Sequence, residues 1–77
     1  MNNDIEWFRT QLTIARWNLD SAIAASRQET GRFLEQARQS YERIRDALPR
    51  SELDQELHRQ IEEALEELCL RLRLVQR

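Results

Sequence analysis

The chain has one glycine, one proline, one cysteine, one histidine and no lysine among its 77 residues. Each scarcity removes a class of function. A single glycine, Gly31, cannot supply the glycine-rich loop that cradles phosphates. With only His58 available, no Ser/His/Asp constellation can be assembled, so an enzyme is not expected. The lone Cys69 permits no internal disulfide and fits a reducing compartment. No run of even ten apolar residues occurs, and no basic-then-apolar leader pattern opens the chain, so neither a membrane span nor a secretory signal is expected. The default expectation is a single cytoplasmic domain over residues 1–77. Such a chain has room for only a marginal core.

All twelve basic residues are arginine, against 14 acids, for a net charge of −2. Exclusive use of arginine invites a phosphate or nucleic-acid reading. A negative overall balance gives no cationic field, however, and mutational bias in a GC-rich genome explains the pattern as well. Charge is uneven along the chain. Residues 51–67 carry seven acids against Arg59 alone, whereas residues 27–50 carry six arginines against four acids.

What the chain does have is helical pattern: 34% of its residues are charged, and the apolar ones recur in register. Asn3 followed by Glu6 has the form of an N-cap with its box partner, and predicts a helix from Asp4. Leu48-Pro49-Arg50-Ser51 followed by Asp54 reads as a stop and a new start, with Ser51 as the second cap. Ile5, Phe8, Leu12, Ala15, Leu19, Ala22, Ser26, Thr30, Phe33, Ala37, Tyr41, Ile44 and Leu48 fall in one stripe at the 3.6-residue period.

Ser26 with Glu29 resembles a capping box, and Gly31 is a residue type that ends helices. Yet the phase of the stripe does not reset there. The expectation is therefore an all-α, antiparallel two-helix hairpin, with a long helix over residues 4–48, straight across Gly31, and a short helix over 52–76. The alternative is a monomeric three-helix bundle with a break at 26–31. In the hairpin, Phe33, Ala37, Tyr41, Ile44, Leu48, Leu53, Leu57, Ile61, Ala64, Leu68 and Leu72 form the intrachain core. Arg45 meets Glu56 and Arg38 meets Glu63 across the two helices. The alternation in residues 68–75 has no second strand to pair with and is read as helix.

A long helix of about 65 Å outruns a short one of about 38 Å, at 1.5 Å per residue. Residues 4–25 then overhang, and they are apolar on two sides, because Trp7, Ile14 and Trp17 lie off the main stripe. So large an apolar surface needs a cover. The expected interface comprises Ile5, Trp7, Phe8, Leu12, Ile14, Trp17, Leu19 and Ala22, with Leu70 and Leu74 from the C-terminal end. These would assemble a homodimeric (or tetrameric) coiled-coil bundle.

The expected function is a non-catalytic protein–protein interaction module: an adaptor, chaperone-like or regulatory protein. It would act as a homo-oligomer, or capture a helix of another protein. Neither cofactor nor membrane is expected. The alternative, a nucleic-acid-binding regulator, rests on Arg27, Arg38, Arg45, Arg71, Arg73 and Arg77. His58 with Glu62 one turn on could be half of a metal site, but the preceding Glu-x-x-His position is Gln55, and an exposed histidine on an acidic face is expected. Cys69 lies about 16 Å along the axis from His58 and reads as a small apolar side chain.

Overall fold

A computed structural model describes residues 3–75 and shows an all-helical chain. Its elements are α1 (Asn3–Ala24), α2 (Arg27–Ala47), a 3-10 turn (Leu48–Arg50) and α3 (Gln55–Val75). The straight helix expected over 4–48 is broken. Ala25 and Ser26 alone link α1 to α2, and the two helices fold back on each other. The longest dimension of the molecule is 42 Å, too short for a ~65 Å rod. The arrangement is the three-helix one, with the break at Ala25 and Ser26, the N-terminal edge of the 26–31 segment.

The break needs no glycine. Ser26 adopts φ −65°, ψ 163°, an extended conformation open to any L residue, and it is the N-cap of α2. Its hydroxyl makes no capping bond, so the capping-box form is realised by position only. Thr30 ties the junction together through carbonyls instead. Its backbone N–H and that of Glu29 donate to the Ser26 carbonyl at 3.1 and 3.0 Å. The Thr30 hydroxyl stands 3.0 Å from the same carbonyl and 3.2 Å from that of Ala22, so one hydrogen serves the last turn of α1 and the start of α2. That satisfies a helix-end carbonyl that would otherwise lack a partner.

Gly31 lies inside α2 in the ordinary helical conformation, and a Cβ built on it meets nothing within 4 Å. Glycine there only enlarges the entropy of the unfolded chain. Gly31→Ala is expected to raise stability by about 0.5–1 kcal/mol, read as a higher urea midpoint with an unchanged slope. A fall in the midpoint would show that residue 31 needs a non-helical backbone.

At the second junction Pro49 sits in the 3-10 turn, and Ser51 closes it: its hydroxyl donates to the Leu48 carbonyl at 2.7 Å. Ser51 is thereby occupied and does not cap α3. Asp54 does, its Oδ1 accepting the Leu57 N–H at 2.8 Å. The third helix consequently starts at Gln55, later than the expected residue 52. The expected Asn3 cap, the last turn near residue 76 and Arg77 lie outside the described residues or their described side chains.

The apolar stripe read from the sequence is buried, but by its own chain. Phe8, Leu12, Ala15 and Leu19 of α1 join Ala37, Ile44 and Leu48, and Ile61, Leu65, Leu68 and Leu72 of α3, in one core; Ile5, Leu34, Tyr41, Ala47, Leu53 and Ala64 pack at its edge. Ala22 is also buried. Four residues expected at an oligomer interface (Phe8, Leu12, Leu19 and Ala22) are thus core residues and a fifth, Ile5, packs at the core's edge, because the fold-back brings α2 over them. Of the expected hairpin core, Phe33, Tyr41, Leu53, Leu57 and Ala64 are only half-buried, and Phe33 and Leu57 stand outside the cluster. Along their lengths α1 and α2 approach each other far more closely than either approaches α3. Alanines at 15 and 37 permit this.

Candidate interaction surface

The elements leave a specific set of side chains outside. The exposed large apolar residues are Trp7 (39%), Ile14 (40%), Trp17 (61%), Ile23, Leu70 and Leu74. Four of the six belong to α1 and two to α3; α2 contributes none. The exposed positions of α2 are instead arginine, glutamate, glutamine and their like. A helix with apolar side chains on two sides is one built to be covered on two sides, and within the monomer α1 is covered on one. Five of these six positions belong to the expected interface; Ile23 does not.

Trp17 meets the half-buried Phe33 of α2 edge-on, with ring centroids 6.0 Å apart. This is a favourable aromatic geometry that fixes the indole while leaving most of it exposed. Trp7 stands at the other end of α1, edge-on to Phe8 at 5.1 Å. It forms one wall of an open cleft of about 510 Å³, together with Asp4, Phe8, Arg43, Asp46, Ala47, Arg50 and Ser51. On α3, Arg71 donates to Asp20 of α1 at 2.7 Å. That pair ties the ends of α1 and α3 together, so that Leu70 and Leu74 stand near the C-terminal end of α1.

The charged side chains are engaged locally. The expected cross-helix pairs, Arg45 with Glu56 and Arg38 with Glu63, do not form. Arg38 holds Glu35 and Glu42 of its own helix at 2.6 and 2.9 Å, and Arg59 holds Glu56 and Glu63 at 2.6 and 2.5 Å. Partners one turn away on the same helix reach each other without bridging two backbones. Arg45 lies over the Tyr41 ring at 5.7 Å and 4.0 Å from Asp46. The hydrogen bond from Arg38 lowers the Glu35 pKa, and that from Arg59 lowers the Glu56 pKa. Depressed carboxyl pKa values mean that the small contribution of these exposed pairs is present above the usual carboxylate range and fades as pH falls through it.

His58 is half-buried, with Nδ1 3.2 Å from Glu62. Cys69 is a half-buried free thiol. Among the described residues, no group of three or more His, Cys, Asp or Glu side chains is placed to hold a metal ion. No helix there is long and apolar enough to cross a membrane. Two buried acceptors, Gln11 Oε1 and Asn18 Oδ1, have no hydrogen-bond partner, although Asn18 Nδ2 donates to the Ile14 carbonyl at 3.0 Å. Both lie on α1, and neither is among the core residues expected from the sequence. No protein-family model, curated protein or solved structure matches the chain.

Proposed function

We propose that this protein is a non-catalytic protein–protein interaction module that acts as a homo-oligomer through the outer face of α1. The observation that carries this reading is the contrast between helices. Trp7, Ile14 and Trp17 stand outside on α1, while the outer face of α2 is charged and polar throughout. Scattered single apolar residues on a surface need no explanation, but two tryptophans and an isoleucine on one side of one helix form a patch that association would cover. The arginines that would serve a nucleic-acid reading offer it less support, since Arg38 and Arg71 hold carboxylates of the chain itself.

Light scattering coupled to size exclusion tests the reading. The expected mass at micromolar concentration is about twice the 9.3 kDa of one chain. Ile14→Arg is expected to reduce the mass to that of one chain with an unchanged helical circular-dichroism spectrum, because residue 14 is not part of the core. A wild-type protein that stays a monomer into the submillimolar range would refute self-association.

A further inference from the structure

We propose that the bend at Ala25–Ser26 is a hinge for domain exchange: α1 and α2 also join into one straight helix, and α1 of each chain then packs in the core of a second copy. The exchange uses the core face of α1 and not its outer face. It therefore goes beyond the outer-face reading and does not depend on it.

The hinge is lightly held. Among the described residues no φ is positive, and the last turn of α1 carries no basic side chain. The two common stabilisers of a helix C-terminus are thus both missing there. The Ser26 hydroxyl makes no capping bond, which leaves the Thr30 hydroxyl near the Ala22 carbonyl as the one side-chain clasp across the bend. Residues 23–30 include neither glycine nor proline, so a helix can run through them. The apolar stripe keeps its 3.6-residue phase across the same residues. A permanent bend makes no demand on that phase, whereas a straight rod requires it.

Straightening preserves the interior. The α1–α2 contacts centre on the hinge: Trp17 and Phe33 stand eight residues either side of Ala25, and Ala22 and Thr30 four either side of Ser26. Two rods laid antiparallel about a two-fold axis at the hinge therefore set α1 of each copy on α2 of the other in the register of the monomer. The Ala22 carbonyl then takes the Ser26 N–H as in any helix. Helix α3 keeps its place along α2, because the Leu48–Arg50 turn is undisturbed. Where the rods cross, the stripe residues are Ala22 and Ser26, small enough for close approach.

Both states bury the same core, so the hinge and the chain concentration decide between them. A short link holds α1 against α2 at an effective concentration in the millimolar range. The closed monomer prevails in dilute solution, and exchange occurs in chains that fold at near-millimolar concentration. Once formed, the exchanged dimer separates only by unfolding, which is slow.

The test uses Ile14→Arg protein, whose outer face is blocked. It is unfolded in urea, refolded at low-micromolar and at near-millimolar concentration, diluted to equal concentration and weighed by light scattering. The concentrated sample is expected to hold a fraction at twice the 9.3 kDa of one chain that the dilute sample lacks. Arg27→Pro is the deciding change. Arg27 is exposed at the first position of α2, where proline is favoured, and Ser26 before it is already extended. The bent monomer accepts that proline. In the rod it removes a hydrogen bond and strikes the Ile23 carbonyl, so the yield of dimer should fall at least about a hundredfold while monomer helicity is retained. Trp17→Cys with Phe33→Cys, in a Cys69→Ser background, gives a second readout through a short thiol-to-thiol linker. Exchanged chains bridge to each other and run as covalent dimers in a denaturing gel; chains associated side by side bridge internally and run as monomers. A dimer that withstands Arg27→Pro, a dimer whose chains bridge only internally, or no dimer from concentrated refolding would each overturn the exchange. None of these touches outer-face association, which the mass of the protein with Ile14 intact tests separately.

Discussion

Phe8→Ala is expected to remove about 3–5 kcal/mol of folding stability, the usual cost of emptying a buried aromatic site. A domain of this length has a total of roughly 4–11 kcal/mol, from ~0.05–0.15 kcal/mol per residue. The variant therefore sits at or beyond the edge of folding at 25 °C. Phe8 is 1% exposed and belongs to the core shared by all three helices. Urea or thermal unfolding followed by far-ultraviolet circular dichroism gives the loss directly. The structure adds a second requirement. Because Phe8 is covered by its own chain, the difference between variant and parent should not change with protein concentration. If residues 4–25 were instead an overhang covered by a second chain, the deficit would grow on dilution. A loss below 1 kcal/mol, or one that scales with concentration, would contradict the packing of α1 on α2.

The sequence showed most of the stripe and missed the bend in it, for a definable reason. An unbroken 3.6-residue phase from Ile5 to Leu48 is required by a straight helix, but a fold-back allows it too. Once a two-residue link separates α1 from α2, each helix can rotate about its own axis until its share of the stripe faces the other. The stripe then closes on itself. Observed contacts fix that register: Trp17 against Phe33, and the Thr30 hydroxyl near the Ala22 carbonyl. Residues 23–25 contain no turn-forming residue, yet one extended residue, Ser26, is enough for the bend. Energetics favour the bend as well. Folding back covers Phe8, Leu12 and Leu19 without the translational entropy that a second chain would surrender. The same stripe did locate the exposed set of α1, since Trp7, Ile14 and Trp17 lie off it whether or not the rod bends. The ion pairs form along helices and not across them, because glutamates one turn away are closer to Arg38 and Arg59. Leu65 entered the core unforeseen.

Ala15→Leu is expected to cost about 1–3 kcal/mol through overpacking, toward the upper end because the obstacle is backbone. The α1–α2 register brings Ala15 level with Ala37, and both are fully buried, at 0% and 1%. A leucine at either position cannot be accommodated by rotating a neighbour; the two helices must separate along much of their length, and the half-buried Thr30 hydroxyl would lose its place over the turn. Ala37→Leu should cost a similar amount. The double variant should cost less than twice as much, since helices already forced apart have room for the second side chain. Position 14 supplies the internal control. Ile14 is the immediate neighbour of Ala15 but is directed about 100° away around the helix, where it is exposed. Ile14→Ala should leave the unfolding free energy of the monomer within about 0.5 kcal/mol, as surface changes do. Chemical unfolding at a concentration low enough to keep the chain monomeric separates the two. Equal sensitivity at residues 14 and 15 would mean that α1 is rotated from the orientation described, and the face assigned to a partner would then belong to the core.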